Sequence, residues 1–192
     1  MNWLDINENE LNEAVEKEPK GFELPEAGVY EVRVNNCYVE TGIDSASGKK
    51  NDWFNLETET KDGNKINLRW WFRHTGNSKN AKGNLAFGIV QAGKVFKAAD
   101  LNLMSVQPKQ INIEKFNKQI EALQLSDILG KKLVIGIRHR ISGQYTNIDF
   151  VKACKVGDQE CIDKLKADIE KKPVIEDKPK EETKPKEESP AW

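Results

Sequence analysis

In the segment Ile66-Asn67-Leu68-Arg69-Trp70-Trp71-Phe72-Arg73, the two-residue period of a strand sends Ile66, Leu68, Trp70 and Phe72 to one face. Asn67, Arg69, Trp71 and Arg73 go to the other. The first set is a core face. The second puts an indole between two guanidinium groups on one surface, which suits a single strand of nucleic acid. The ring can stack on any base, at about 1–3 kcal/mol per base, while the flanking cations hold phosphates. The competing reading buries Trp71 under a loop or helix and pairs the arginines with Glu57 or Glu59 on the neighbouring strand.

A second basic strand repeats the pattern. Leu133, Ile135 and Ile137 point one way, and Val134, Gly136, Arg138 and Arg140 the other. Gly136 leaves room for a close approach to the sheet, and across the following turn Tyr145 offers a second stacking ring or is an ordinary exposed hairpin tyrosine. Trp53 stands near Lys49 and Lys50, again aromatic beside basic. Two polar loops, 42–52 and 74–84, carry Lys49, Lys50, Lys79 and Lys82 and are long enough to fold over a bound strand. No helix carries the clustered Arg, Asn and Gln that major-groove reading requires, and there is no zinc-finger spacing.

Charge is segregated along the 192 residues. The formal net charge is −1, from 30 Lys+Arg against 31 Asp+Glu, which taken whole argues against a polyanionic partner. Residues 1–27 hold eight acidic and two basic groups, whereas 61–140 hold 15 basic and five acidic, a net +10. All five arginines fall between 28 and 140. Such asymmetry points to an anionic partner for the middle of the chain.

These residues need a sheet to position them. Val29–Val39 reads as a long strand, Trp53–Thr60 as a second, and Lys65–His74 as a third after the turn signal Asp62-Gly63-Asn64. A helix is expected from about Leu85, ending near Gly93. Residues 100–112 read as irregular, and Ile113, Phe116, Ile120 and Leu123 as one face of a second helix. Lys131–Arg140 and Tyr145–Lys152 form a strand pair, followed by a helix marked by Cys161, Ile162, Leu165 and Ile169. The expected class is mainly β, a five-stranded OB-like barrel with inserted helices; a two-layer α+β sheet is the alternative. Residues 1–23 form an acidic arm or short helix, and 24–170 the nucleic-acid-binding domain. The Lys/Glu/Pro-rich 171–192 reads as a disordered C-terminal tail. Its tip, Glu187-Glu188-Ser189-Pro190-Ala191-Trp192, is acidic and ends on an aromatic. That makes Glu187, Glu188 and Trp192 a candidate docking peptide.

A basic OB-like sheet with a tail of this kind resembles the single-stranded DNA-binding proteins of bacteria and of tailed bacteriophages. The likeness is carried by Pro25-Glu26-Ala27-Gly28-Val29-Tyr30-Glu31-Val32, by Ala92-Gly93, and by Leu129-Gly130-Lys131-Lys132-Leu133-Val134-Ile135 leading to Tyr145-Thr146-Asn147-Ile148. It implies non-specific coating of replication and recombination intermediates, and a tail that recruits replication or recombination proteins. One departure is the tail's six lysines, which neutralise it except at the tip. The other reading is a protein-interaction or recombination-accessory module whose basic sheet binds an acidic protein.

No enzyme is expected. His74 and His139 both stand beside arginines, a poor place for a metal ion or a base, and no P-loop, G-x-S-x-G or G-x-G-x-x-G occurs. Neither cofactor nor metal is implied. Three cysteines, Cys37, Cys154 and Cys161, make no disulfide framework, so structural thiols in a reducing cytoplasm are expected, host cytoplasm for a phage protein. The apolar runs are too short to span a membrane, no signal peptide is read in the first 30 residues, and a homo-oligomer is compatible with the sequence.

Overall fold

Alternating β-branched and aromatic residues from Gly28 onward build the longest element, strand β1 (Gly28–Ile43), in a computed structural model that describes residues 24–43, 50–73, 77–79, 84–115, 118–142 and 145–176. There follow β2 (Lys50–Thr60), β3 (Lys65–Arg73), helix α1 (Phe87–Ala98), β4 (Lys109–Lys115), β5 (Lys118–Gln124), β6 (Lys132–Ser142), β7 (Tyr145–Lys155), helix α2 (Gln159–Lys171) and β8 (Val174–Glu176). The protein is mainly β.

Strand β1 pairs with β2 along nearly its whole length and β2 with β3, all antiparallel. Its other edge is shared. Gly28–Arg33 pair with β6, and Tyr38–Glu40 with β5. The turn between β5 and β6 bridges the gap: Gly130 N–H donates to Val34 O at 2.8 Å and Leu125 N–H to Cys37 O at 2.9 Å. Strand β7 pairs with β6, and β8 runs parallel to β6 at His139–Ile141. Inside, Val32, Val34, Phe54, Leu56, Ile66, Leu68, Leu133, Ile135 and Ile137 pack with Val95 and Phe96 of α1. Each such side chain contributes about 1.5–3 kcal/mol on full burial. The alternation expected of the third strand holds through Phe72: Ile66 and Leu68 are buried, Trp70 and Phe72 pack partly buried against the core, and Asn67, Arg69 and Trp71 are exposed.

Several expectations are corrected. The sheet has eight strands, and it is not a closed barrel: among the described residues β3 and β7 share no ladder. The segment expected to be irregular and then helical is instead the β4–β5 hairpin, in register from Lys109 opposite Gln124 to Lys115 opposite Lys118. The spacing of 113, 116, 120 and 123 matches a helix by coincidence. Ile111 and Ile113 on one strand, and Ile120 and Ala122 on the other, carry the two-residue period of a hairpin.

Helix α1 does not stop at Gly93, where a Cβ would meet nothing within 4 Å. It runs on to Ala98 and is closed by Asp100 (φ 58°), two residues beyond, with Asp100 N–H on Lys97 O and Leu101 N–H on Phe96 O. That is the Schellman arrangement, with aspartate in the left-handed position glycine usually takes. Nor does the folded body end at 170. Lys171 closes α2, and Val174–Glu176 joins the sheet. The N-terminal arm at 1–23 and the tail from 177, with Glu187, Glu188 and Trp192, lie outside the described residues.

Helix α2 starts where the Asp158 carboxylate accepts the Cys161 N–H at 3.0 Å. It lays Leu165 and Ile169 on Val134 and Cys154. Gly136 permits this: a Cβ there would lie 2.5 Å from Leu165 Cδ1. The space read as an approach for a ligand is thus filled by the protein's own helix. A disulfide joins Cys154 to Cys161, which corrects the expectation of three thiols and removes the cysteine argument for a reducing compartment. Cys37 is a buried free thiol, and burial pushes its pKa up.

Candidate nucleic-acid interface

The cross-strand register sets the outer face of the β1–β2–β3 meander. Trp71 of β3 lies opposite Trp53 of β2, and Trp53 lies opposite Glu40 of β1. The two indoles meet edge to face, 5.4 Å between centroids and 63° between planes, a preferred aromatic geometry. Trp71 remains 54% exposed, so it is not buried under a loop or helix. Its backbone is held from behind by α1. Gly88 sits so close that a Cβ would fall 1.6 Å from Trp71 O, and Trp70 Nε1–H donates to Gly88 O at 3.0 Å. The glycine therefore acts as a contact between helix and strand.

Arg69 lies over Trp53, its guanidinium carbon 4.1 Å from the ring centroid. The same guanidinium donates to Glu40 Oε1 at 2.6 Å. Glu40 is only 4% exposed and takes a second cation, Lys115 Nζ at 3.0 Å. Two cations on one carboxylate leave this cluster net positive. Beside it Tyr38 donates its hydroxyl to Glu57 Oε1 at 3.1 Å. Burial, with Glu57 adding to it, raises the Tyr38 pKa above its ordinary value.

Arg73 does not join Trp71. The β2–β3 register shifts between Asp52 and Trp53, and an irregularity of this kind re-aims the side chains beyond it. Arg73 Nε–H donates to Asp52 Oδ2 at 2.6 Å, and Thr41 Oγ1–H donates to Asp52 Oδ1 at 2.6 Å. Asp52 is two residues from the core residue Phe54, so this trio stands on the side away from Trp53. Pairing of the arginines was anticipated in kind, but the carboxylates are Glu40 and Asp52 rather than Glu57 or Glu59.

On β6, Arg138 Nε–H donates to Asp149 Oδ2 at 2.9 Å, and Arg140 Nη2 lies 3.4 Å from Asp149 Oδ1. Again two cations share one carboxylate. Tyr145, 66% exposed, stands at the end of the β6–β7 hairpin opposite Ser142. Lys50 is exposed at the start of β2, and Lys79 is exposed and bridged through its backbone to Leu85. Lys49 and Lys82 lie outside the described residues. His139 Nε2 is 2.9 Å from Pro25 O, a structural bond. Among the described residues no three His, Cys, Asp or Glu side chains gather as a metal site would need, and no helix is long and apolar enough to cross a membrane.

Strands β3 and β7 face each other across a seam without pairing. Trp70 stacks on Phe150 there, 5.2 Å apart and 6° from parallel. A cavity beside them is lined by Arg69 on one strand and Asp149 on the other. The sequence reading missed Glu40, Lys115 and Asp149. Only Glu40 left a trace, two residues beyond Tyr38 on the same face of a strand; the rest are brought in by chain reversals. No protein-family model matches the chain, and no curated protein matches it.

Proposed function

We propose that this protein binds single-stranded DNA with little sequence preference, as a coating protein of replication and recombination intermediates. The observation that carries the reading is Trp71, exposed, braced by Trp53 and flanked by Arg69 on the basic part of the chain. An indole so held loses little freedom when a base stacks on it. Arg69 stays planar over Trp53, with donors to spare for a phosphate after Glu40 is satisfied. Arg138, Arg140 and Tyr145 extend the surface across the seam, with Lys50 and Lys79 at its margins.

The OB-like reading of the fold draws support from the strand path β3-β2-β1-β6-β7. The helix following β3 packs between the two outer strands, which approach without pairing, as in a partly open five-stranded barrel to which β4, β5 and β8 are additions. The likeness to phage single-stranded DNA-binding proteins is a proposal on the same footing. So is recruitment of replication or recombination proteins by Glu187, Glu188 and Trp192.

A fluorescence titration with oligo-dT, oligo-U and duplex tests the reading. Tryptophan emission should be quenched by the single strands. The affinity should fall with salt at a log–log slope of about −0.7 per phosphate neutralised. Trp71→Ala should remove most of the quench. Absence of single-strand binding at low salt, with salt-sensitive binding to an acidic protein instead, would replace this reading by that of a protein-interaction module.

A further inference from the structure

A cleft of about 570 Å³ opens between the last turns of α1, strand β7 and the start of α2. Five lysines line it. Two of them are committed: Lys155 Nζ pairs with Asp100 at 2.7 Å, and Lys164 Nζ with Glu160 at 2.5 Å. The remaining carboxylate of the lining, Asp158, caps α2 by accepting the Cys161 N–H. Lys94, Lys97 and Lys152 are exposed and, among the described residues, have no ion pair. The cleft therefore carries an excess of positive charge that no carboxylate of its own lining neutralises. Lys94 and Lys97 stand three residues apart on one face of α1, where like charges repel; a bound anion removes that cost. A concave wall of one sign also concentrates the field at its centre.

We propose that this cleft holds phosphate groups of a bound single strand, as a second contact separate from the stacking surface at Trp71. The proposal rests on the single-strand reading and adds to it the path of a longer strand. The lining is made of lysine, alanine, aspartate, glutamate and the Cys154–Cys161 bridge. It offers no ring on which a base could stack and no large aliphatic pocket in which an acidic peptide could anchor a side chain. Ammonium groups are point charges suited to phosphate oxygens, and contacts to phosphate position a strand without reading its sequence. The two sites share a helix. Gly88, near the start of α1, touches the Trp71 backbone, whereas Lys94 and Lys97 lie about 9 and 14 Å further along the helix axis at 1.5 Å per residue. A strand stacked on Trp71 must run on at least that far to enter the cleft. A short oligomer thus occupies the stacking surface alone, and a long one both.

The experiment compares an oligo-dT of about 6 residues with one of about 30, which exceeds the roughly 4–16 nucleotides that one OB-like surface takes. Both are titrated across a salt series with the wild type and with the triple variant Lys94→Gln, Lys97→Gln, Lys152→Gln. For the long oligomer the log–log salt slope should become less steep by about 0.7 per lysine, about 2 in all. For the short oligomer, affinity and slope should stay as in the wild type. Melting temperature should not change, since the three side chains are exposed. A control variant, Lys166→Gln, Lys171→Gln, Lys172→Gln, removes the same charge from exposed positions of α2 and its C-terminal end, outside the cleft lining, and should bind both oligomers as the wild type does. An unchanged slope for the long oligomer in the cleft variant would overturn the second contact and leave the stacking surface standing. So would an equal loss on both lengths, or an equal loss in the control, because the lysines would then act only through overall charge. No binding of either oligomer by the wild type would end the single-strand reading, and the cleft with it.

Discussion

The Arg69 guanidinium lies 4.1 Å from the Trp53 ring centroid while donating to Glu40 Oε1 at 2.6 Å. Ring and carboxylate together fix a side chain that would otherwise sample many rotamers. A cation–π contact at a partly exposed site is worth about 0.5–1 kcal/mol, and the planar guanidinium suits it better than an ammonium would. The pairing has a cost for any polyanion, because Glu40 is a competing anion on the same surface.

Glu40→Gln should therefore strengthen binding to oligo-dT. The substitution keeps the side-chain volume and removes the charge that holds Arg69 and Lys115. One further phosphate contact made by the released cations should steepen the log–log salt slope by about 0.7. Titrations across a salt series measure both. Stability should fall modestly, since Arg69 is partly exposed and its pairing is screened by solvent. Weaker binding in Glu40→Gln would mean that Glu40 positions Arg69 more than it competes with phosphate.

Gly88→Ala tests how the stacking ring is held. The new Cβ would fall 1.6 Å from Trp71 O, a backbone atom that cannot swing aside. Either α1 lifts or β3 shifts. Overpacking of this kind costs about 1–3 kcal/mol, occasionally more, enough to lower the melting temperature by several degrees. Trp71 emission and oligo-dT quenching should change with it. Gly93→Ala is the control, because a Cβ there meets nothing; it should leave stability unchanged or raise it by up to about 1 kcal/mol through helix propensity.

These two glycines mark how far the fold was legible in the sequence. Alternation located β3 and the start of β1, where one face is buried and the other exposed, whereas β2 and the first half of β6, buried on both faces, were legible as short β-branched and aromatic runs. Alternation also separated Ile66 and Leu68 from Arg69. What sequence could not carry was long-range contact. Gly88 lies inside a helical pattern, and nothing local discloses that its partner is Trp71 O. Gly93 resembled a stop, though the stop is made by Asp100. Arg73 left the Trp71 face because of one register shift, which alternation alone cannot foresee. The seam, where α1 packs on β3 and β7, joins three elements that are far apart in the chain.

The disulfide makes a countable prediction. Cys154 and Cys161 are bonded and Cys37 is buried. Ellman's reagent should find no reactive thiol in the native, unreduced protein and one per chain after unfolding in urea without reductant. Reduction before unfolding should raise the count to three. It should also lower stability by loosening the start of α2 from β7, since cross-links of this kind typically contribute about 2–4 kcal/mol or less for a short loop. A count of three without reductant would show that the bridge does not form.

Alkaline pH should destabilise the protein through its tyrosines. Tyr38 and Tyr30 both have pKa values raised in the folded state, in each case first by burial, and then by Glu57 for Tyr38 and by Glu26 for Tyr30. The folded chain therefore holds these protons more tightly than the unfolded chain. Their contribution to stability is complete below the unfolded tyrosine pKa of about 10 and is lost as pH rises above it. Urea midpoints between pH 7 and 11.5 should fall over the upper part of that range, where the buried Cys37 thiol acts in the same direction from about pH 9. Tyr38→Phe removes a hydroxyl that donates to Glu57, so it should lower the midpoint at neutral pH. It should also flatten the alkaline decline, because the variant has one proton fewer to lose on unfolding. A decline as steep in Tyr38→Phe as in the wild type would assign the alkaline instability to Tyr30 and Cys37 instead.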